Sequence, residues 1–400
     1  MGDRKQGFFK TNDLAALLLL SIFMNGFESG GYQAALIHIG TEYSLDNRAQ
    51  GIMASIELFA TMIAPLLLGT LADKVGKKIV LVAFTVIRAV SCVVISVATG
   101  SVLFAVGIFV LGFATSIIQY VAIAQMMDGY PVSNHNRMGL IAAMYALGAV
   151  VAPIIVGNAV KTSLGWKAFF AVDLAVSAVL SILLIITSFK PREEIPDTPE
   201  FAESDQGKAT YTGSGFYVVG VALLSIIMFI YVGVENGVGF FINGYMHDTM
   251  DSMNGYIALS LFWMAMIPSR VLCGVFAKYR RELLCGAPAG AALSLAAFSF
   301  IRTDISAFVI VFIMGLFCGA IYPNVLTYAS DFAGKKTATV TAIITVATGI
   351  GGTVMSAAFG FLETAFGYTG AFLILSGLLA LDTVFAVMVV RRAAKPVKNT

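Results

Sequence analysis

Charged residues are scarce in this sequence: Asp, Glu, Lys and Arg together make up 12% of the 400 residues. A soluble domain contains about 25% charged and about 45–50% apolar residues, whereas the hydrophobic fraction here is 58%. The formal net charge of +2 is too small to indicate a nucleic-acid-binding surface. These shortages exclude an ordinary soluble domain and indicate a chain that crosses a membrane many times.

The sequence also lacks the patterns of a catalytic or metal site. It has no G-x-S-x-G, no H-E-x-x-H and no phosphate-binding loop, and its few His and Cys residues show no metal-ligand spacing. The cysteines lie in apolar runs without a pairing pattern and are interpreted as packing residues: Cys92, Cys273, Cys285 and Cys318. We therefore expect no enzyme activity, no cofactor and no metal.

Long apolar runs are abundant. A helix needs about 20 apolar residues to cross a bilayer, and twelve runs qualify, near residues 14–39, 49–72, 79–99, 102–128, 138–162, 167–189, 215–246, 255–276, 283–301, 307–330, 337–362 and 369–390. The polar stretch from Lys190 to Gly213 contains three prolines and many charges, which is typical of a linker. The prediction is an all-α polytopic membrane protein, with six-helix halves at 1–189 and 215–400 and a cytoplasmic linker at 190–214.

Lys and Arg residues fall mainly on one side of the predicted spans. Nineteen of the 25 lie in the terminal segments, the linker and the loops on that side, four lie in the opposite loops, and Arg88 and Arg270 lie within spans. Cytoplasmic loops carry an excess of Lys and Arg. We therefore predict a multi-pass protein of the cell inner or plasma membrane with both termini in the cytoplasm.

The two halves repeat one another. The motif "GFESG" begins at residue 26, and "GVENG", again with a glutamate between glycines, begins at residue 233. Gly112 precedes Asp128 by sixteen residues, and Gly315 precedes Asp331 by the same number. Landmarks that keep one register indicate a duplicated six-helix unit.

The loop after the second span carries a family signature. "GTLADKVGKK", Gly69 to Lys78, matches the major facilitator superfamily pattern G-x-L-A-D-[RK]-x-G-[RK]-[RK] at every defined position. The chain resembles this superfamily along its whole length, which implies two parallel repeats and a substrate site between them near the bilayer midplane. The resemblance also implies a conformational latch on the inner side. Its predicted members are Gly69, Asp73, Gly76, Lys77, Lys78, Asp128 and Asp331.

Three stretches of the second half are similar to fucose-permease-type sugar:proton symporters: "YVGVENGVGFF" from Tyr231, "FWMAMIPSRVLCG" from Phe262 and "GLFCGAIYPNVLTYASD" from Gly315. This resemblance implies a secondary active transporter that moves a sugar or similar polar solute by proton-coupled alternating access. One position departs from the pattern, because Gln119 lies where such symporters place a carboxylate. Proton-coupled efflux of amphipathic compounds, sodium coupling and a non-transporting solute receptor are the alternatives.

Ionisable residues inside the spans are the candidate site. Each costs about 2.5–3.5 kcal/mol near the bilayer centre, so it must face protein, water or a partner. Glu28 and Glu235 lie near the middle of spans one and seven, where flanking glycines permit local unwinding, and are the best candidates to bind solute or proton. Glu57 and Asp173 either join the site or pair with a neighbouring span. The predicted charge partners are Arg88 and Arg270.

Polar and aromatic residues near the expected cavity complete the predicted site. Amides and aromatic faces suit sugars and other polyols, and they also suit amphipathic compounds. The candidate contacts are Asn25, Tyr32, Gln33, Gln119, Tyr145, Asn236, Trp263 and Asn324. The expected partners are a small-molecule solute, a proton or sodium ion and the lipid bilayer, with the chain acting as a monomer and binding no nucleic acid.

Overall fold

The architecture comes from a computed structural model that describes residues 7–129, 134–189, 216–334 and 336–393. Within these residues the chain is helical and contains no β-strand. The predicted linker at 190–214 lies outside the described residues.

Long apolar helices form where the hydrophobic runs predict them, and two short helices of the described chain lie in the loops between them. Before the linker they are α1 (Gly7–Glu42), α2 (Asn47–Leu68), α3 (Leu71–Val75), α4 (Lys77–Val97), α5 (Ser101–Gly129), α6 (Asn134–Ala159) and α7 (Lys167–Ile186). After the linker they are α8 (Val218–Met250), α9 (Gly255–Val275), a one-turn 3-10 helix (Ala277–Tyr279), α10 (Arg280–Phe298), α11 (Asp304–Ala333) and α12 (Thr337–Ala393).

Ten helices of the described chain are long and apolar enough to cross a membrane. One of them, α12, contains two helical segments that meet in a kink at Gly367, where φ is 68°. Glycine adopts such a φ without steric cost. The ninth predicted run corresponds to α10, a helix of 19 residues that begins with Arg280, Arg281 and Glu282 and is not among the ten. With α10 and both segments of α12, the predicted all-α fold of twelve membrane helices is confirmed.

The chain divides into two compact units. Unit 1 comprises Met1–Tyr43 and Ile56–Thr198, and unit 2 comprises Ser44–Ser55 and Pro199–Thr400. The first turns of α2 thus belong to unit 2, where the Asn47 amide donates a hydrogen bond of 2.5 Å to the Glu363 carboxylate.

The helices of the two units pack in corresponding ways. In unit 1, α1 lies against α6 so closely that a Cβ on Gly26 would lie 1.8 Å from the main-chain oxygen of Tyr145. In unit 2, α8 lies against the first segment of α12, and a Cβ on Gly351 would lie 2.1 Å from the main-chain oxygen of Phe229. Small residues let membrane helices approach closely. The first and fifth spans of each half therefore form equivalent contacts.

A second pair of contacts repeats in the same way. A Cβ on Gly112 of α5 would lie 2.9 Å from the main-chain oxygen of Glu57 on α2. A Cβ on Gly315 of α11 would lie 2.4 Å from the main-chain oxygen of Phe262 on α9. The two glycines that precede Asp128 and Asp331 in sequence thus serve the same contact between the second and fourth spans, as a duplicated unit requires.

Candidate functional site

A network of buried polar side chains centres on Arg88 of α4. Its Nε and Nη2 atoms donate hydrogen bonds to the two carboxylate oxygens of Asp173 on α7, at 2.9 and 3.0 Å. Its Nη1 donates to the Asn25 side-chain oxygen at 2.7 Å, and Nη2 also donates to the Met24 carbonyl oxygen at 2.5 Å. Arg88 and Asp173 are 1% and 0% exposed. The two-pronged geometry is the strongest form of an Arg–carboxylate contact, and it places Asp173 in the predicted alternative role of a partner to a neighbouring span.

Glu28 lies next to this network on α1, one turn after Asn25. Its side chain is 0% exposed, and neither carboxyl oxygen has a hydrogen-bond partner in the described part of the chain. The charges of Arg88 and Asp173 both act on Glu28, but the hydrogen bonds of the guanidinium go to other groups. A buried carboxylate without partners is costly, so Glu28 needs a proton, a cation or a ligand group in at least one state of the protein.

Two more predicted residues surround Glu28. Tyr32 lies one turn further along α1 and is 0% exposed, and Glu57 of α2 is 5% exposed. The charge of Glu28 acts on Glu57, and the charges of both carboxyl groups act on Tyr32. The sequence-predicted residues Asn25, Glu28, Tyr32, Glu57 and Arg88 are therefore brought together in one buried cluster of unit 1.

Gln119 of α5 borders the same cluster. The Asn25 amide donates a hydrogen bond to the Thr115 carbonyl oxygen at 3.0 Å and lies 3.4 Å from the Gln119 side-chain oxygen. Gln119 is half-buried, Gln33 is buried, and Tyr145 is half-buried and contacts Gly26 of α1 through its main chain. Asn25 thus links the arginine network to an amide that is partly open to a ligand.

The corresponding group in unit 2 is looser. The Glu235 Oε1 and Arg270 Nη2 atoms are 3.9 Å apart, and Tyr231 lies one turn before Glu235 on α8. Asn236 donates a hydrogen bond of 2.9 Å to the Val232 carbonyl oxygen of its own helix. The structure therefore brings the two candidate residues Glu235 and Arg270 near each other, while Asn236 faces its own helix backbone.

Two further predicted contacts of unit 2 take part in helix packing. Asn324 donates a hydrogen bond of 2.7 Å to the Ala320 carbonyl oxygen of its own helix and lies 3.5 Å from the Cys273 sulfur. Trp263 is buried, with its ring centroid 6.1 Å from that of Phe262. All four thiols are free, and three of them are buried, which agrees with the prediction that they are packing residues.

The glycines of the two repeated motifs have a packing role in this structure. The helices α1 and α8 continue unbroken through both motifs. A Cβ on Gly30 would lie 2.5 Å from the Ala149 carbonyl oxygen, and one on Gly233 would lie 2.4 Å from Met355 Cγ. The local unwinding that the sequence suggested is not present, because these glycines hold neighbouring helices at close range instead.

The predicted latch loop makes specific contacts within unit 1. Lys77 forms an ion pair with Asp128 at the end of α5. Lys78 donates hydrogen bonds to the carbonyl oxygens of Ile185 and Thr187, at 2.6 and 2.8 Å, and so caps the end of α7. Asp73 is exposed in the short helix α3, and Gly76 has a φ of 101°. Sequence reasoning missed this capping role of Lys78.

Unit 2 has a counterpart that the sequence reading also missed. Arg280 and Asp331 form an ion pair of 2.9 Å. The pair spans 51 residues, as does Lys77–Asp128, and each member follows its counterpart by 203 residues. The equal spacing of a basic residue and an aspartate in the two halves was the available signal.

The described residues contain no group of three or more His, Cys, Asp or Glu side chains that could hold a metal ion. Buried ionisable groups within duplicated sets of membrane helices are typical of secondary transporters. Fold and site together define the class of the protein as a polytopic membrane transporter. The model of the Major Facilitator Superfamily matches residues 18–352 and 279–400. The chain therefore belongs to the Major Facilitator Superfamily, as its loop signature predicts.

Three relatives are named as transporters of sugars or inositol. The glucose/mannose transporter GlcP of Bacillus subtilis (strain 168) is 23% identical over 260 residues, which cover 62% of this chain and 62% of that transporter. A glucose/galactose transporter of Brucella abortus (strain 2308) is 24% identical over 381 residues, 89% of each chain. Myo-inositol transporter 1 of Candida albicans is 25% identical over 46% of this chain and 32% of its own length. These relatives are transporters rather than enzymes, and they agree with the predicted resemblance to sugar transporters of this superfamily.

Solved transporter structures share the fold. The nucleoside transporter NupG has a TM-score of 0.72 at 15% identity, covering 94% of this chain and 99% of its own. The peptide transporter POT in complex with sulfate has a TM-score of 0.78 at 14% identity, covering 97% and 96%. At these identities the likeness shows the fold alone.

Proposed function

We propose that this protein takes up a sugar or a similar polar solute together with protons, by alternating access. The observation that carries the proposal is Glu28, a fully buried carboxyl group without a hydrogen-bond partner in the described residues, beside the Arg88–Asp173 pair. A carboxyl group in this setting can exchange a proton as its surroundings change. The glucose transporters among the relatives support the solute class.

The protonation state of Glu28 determines what Arg88 must neutralise. In this structure Arg88 binds Asp173, Asn25 and the Met24 carbonyl oxygen. Loss of a proton from Glu28 adds a second carboxylate to the cluster and attracts the guanidinium, which weakens its bond to Asn25. Because Asn25 lies beside Gln119, that change disturbs the two amides that would bind solute hydroxyl groups, so the solute binds best while Glu28 carries its proton. Proton binding and solute binding are thereby coupled through one arginine.

The test is the pH change in a weakly buffered suspension of proteoliposomes when sugars, organic acids or cationic amphiphiles are added. A sugar should make the external medium more alkaline. Glu28→Gln should abolish this change while exchange of labelled for unlabelled sugar continues, because exchange needs no net proton movement. The matched control is Asp382→Asn in α12, since Asp382 is also 0% exposed with both oxygens unpartnered in the described residues but lies outside the site.

Each other outcome contradicts the proposal in a specific way. Alkalinisation that persists in Glu28→Gln would show that this residue does not couple proton movement to solute movement. Acidification with cationic amphiphiles under a preset gradient indicates efflux. Uptake that requires sodium and moves no protons indicates a sodium symporter.

We also propose that the ion pair of Lys77 and Asp128 acts as a conformational latch together with Gly69, Asp73, Gly76 and Lys78. Asp331 has the same role in the second half, and the protein works as a monomer.

Both termini and the linker at 190–214 are assigned to the cytoplasm on the distribution of Lys and Arg. A single cysteine placed in this linker of a cysteine-free variant should react with an impermeant maleimide only when the cytoplasmic face is open. Reaction of this cysteine with the maleimide from outside intact cells would show that the linker is extracellular and that the predicted topology is inverted.

A further inference from the structure

A groove of about 440 Å³ opens on unit 2. It is bordered by the last two turns of α9, the first two turns of α10 and the middle of α11. Both α9 and α10 pack on α11, but they make little contact with each other in the described chain, so the surface of α11 between them is left open. The volume falls within the range of about 300–1,000 Å³ that is usual for ligand pockets.

Small residues form the base of the groove and apolar side chains form its walls. A Cβ on Gly286 would meet no atom within 4 Å, which shows that this position faces open space. Ala287 and Ala320 add little bulk beside it. The walls are Leu272, Phe276, Leu283, Ile313, Leu316 and Phe317.

The few polar groups of the groove are already engaged or lie at its end. Ser269 donates a hydrogen bond of 2.5 Å to the Leu316 carbonyl oxygen, and the Cys273 thiol lies 3.7 Å from the Ala320 carbonyl oxygen. Glu282 lies in the exposed first turn of α10. A bound water needs about 2–4 polar partners, and the inner part of this groove offers none that is unused. The chemistry of the lining therefore selects an apolar occupant.

The position of the groove along the helices indicates what this occupant is. Its polar end lies at the start of α10, where Arg280, Arg281 and Glu282 mark the edge of the hydrocarbon layer. From Ala320 to Ile313 the groove extends along α11 by about 10 Å at about 1.5 Å per residue, compared with about 15 Å for one leaflet of a hydrocarbon core about 30 Å thick. The wall residues Leu272 and Phe276 are 46% and 44% exposed, and they lie in the last turn of α9 and directly after it, where this helix ends in the same leaflet. An extended chain with one polar end fits this shape.

We propose that the groove is a specific site for one acyl chain of a phospholipid from the leaflet in which α10 begins, with the headgroup beside Arg281 and Glu282. Bilayer hydrocarbon is as apolar as the groove itself, so specificity comes from packing rather than from the hydrophobic effect. An unfilled groove forfeits dispersion contacts along its walls, and a seated acyl chain restores them. An acyl chain alone therefore provides the contacts that these apolar walls lack.

The first experiment is native mass spectrometry of the protein released from mild detergent. The wild-type chain should retain one phospholipid. Gly286→Phe should lose it, because the new ring occupies the groove, while the Cβ that carries the ring meets no atom within 4 Å. Gly377→Phe is the matched control, since Gly377 is also an exposed helical glycine whose Cβ would meet no atom within 4 Å, and it should retain the lipid.

Retention of the same phospholipid by Gly286→Phe would overturn the proposal. Detection of a dimer in place of a lipid adduct would also overturn it, because the groove would then bind a second copy of the chain. Photo-crosslinking of the wild-type protein with a phospholipid that carries a diazirine on its acyl chain removes any dependence on the folding of the variant. Crosslinks should concentrate on residues 269–276, 283–287 and 313–320. Crosslinks distributed over all lipid-facing residues in proportion to their exposure would refute a specific site. Neither readout depends on transport, so this result stands apart from the test of proton coupling.

Discussion

Arg88 and Asp173 form a buried two-pronged ion pair, with nitrogen–oxygen distances of 2.9 and 3.0 Å, between the third and sixth spans of unit 1. Ser177, one turn after Asp173, donates a further hydrogen bond of 3.1 Å to the same carboxylate. Asp173 is thereby fully occupied by protein groups, whereas its neighbour Glu28 has none. We therefore assign a structural role to Asp173 and a candidate coupling role to Glu28.

Removing one member of this pair should destabilise the protein. Breaking a buried pair leaves an uncompensated charge and costs about 3–5 kcal/mol. Asp173→Leu should therefore lower the unfolding temperature markedly, measured with a thiol-reactive dye or by circular dichroism in detergent. The double variant Arg88→Met with Asp173→Leu should recover most of the lost stability, since it removes both charges, but it should not recover transport. Equal stability of the single variant and the wild type would contradict the assigned pairing.

The pair of Lys77 and Asp128 should affect transport more than stability. Asp128 is more than half exposed, and exposed pairs contribute about 0.2–1 kcal/mol. Asp128→Lys should change the balance of conformations by up to about fivefold, an effect that corresponds to about 1 kcal/mol, and so lower the uptake rate. The exchanged variant Lys77→Asp with Asp128→Lys should restore much of that rate. If the exchanged variant is as slow as the single one, the charge pairing is not what matters.

Gly26 should tolerate no larger residue. Gly26→Ala places a methyl group where the Tyr145 carbonyl oxygen lies, at 1.8 Å, so α1 and α6 must separate. Overpacking of this kind typically costs about 1–3 kcal/mol. Gly377→Ala is the control, because that site is open. The yield of monodisperse protein in size-exclusion chromatography and the unfolding temperature should both fall for Gly26→Ala only.

Gln119 should affect solute affinity and not proton coupling. A hydrogen bond between neutral groups contributes about 0.5–1.5 kcal/mol, so Gln119→Ala should raise the KM of the transported sugar by about two- to tenfold. The number of protons moved per sugar should stay unchanged. A changed stoichiometry with an unchanged KM would place Gln119 in the coupling step instead of in solute binding.

The sequence predicts the helices well because each span is a long apolar run, and the repeat is visible because glutamates, glycines and aspartates keep one register. Partners across space are harder to predict. Arg88 and Asp173 are 85 residues apart in sequence, and only the packing of α4 on α7 brings them together. The glycines around Glu28 suggested local unwinding, but a glycine can either break a helix or allow a close contact between two helices. The residues of α6 that decide between these two outcomes lie more than 100 positions away in sequence.

The ion pairs of Lys77 with Asp128 and of Arg280 with Asp331 have equal spacing but different chemistry. Lysine holds a carboxylate as a single point charge that water can replace, whereas the planar guanidinium of arginine is a more persistent partner. Asp331 is also far less exposed than Asp128, and Arg280 lies over the ring of Tyr328. The two halves therefore keep an ion pair at the same position but differ in the basic residue that forms it. We expect the Lys77–Asp128 pair to break before the Arg280–Asp331 pair when the protein changes conformation.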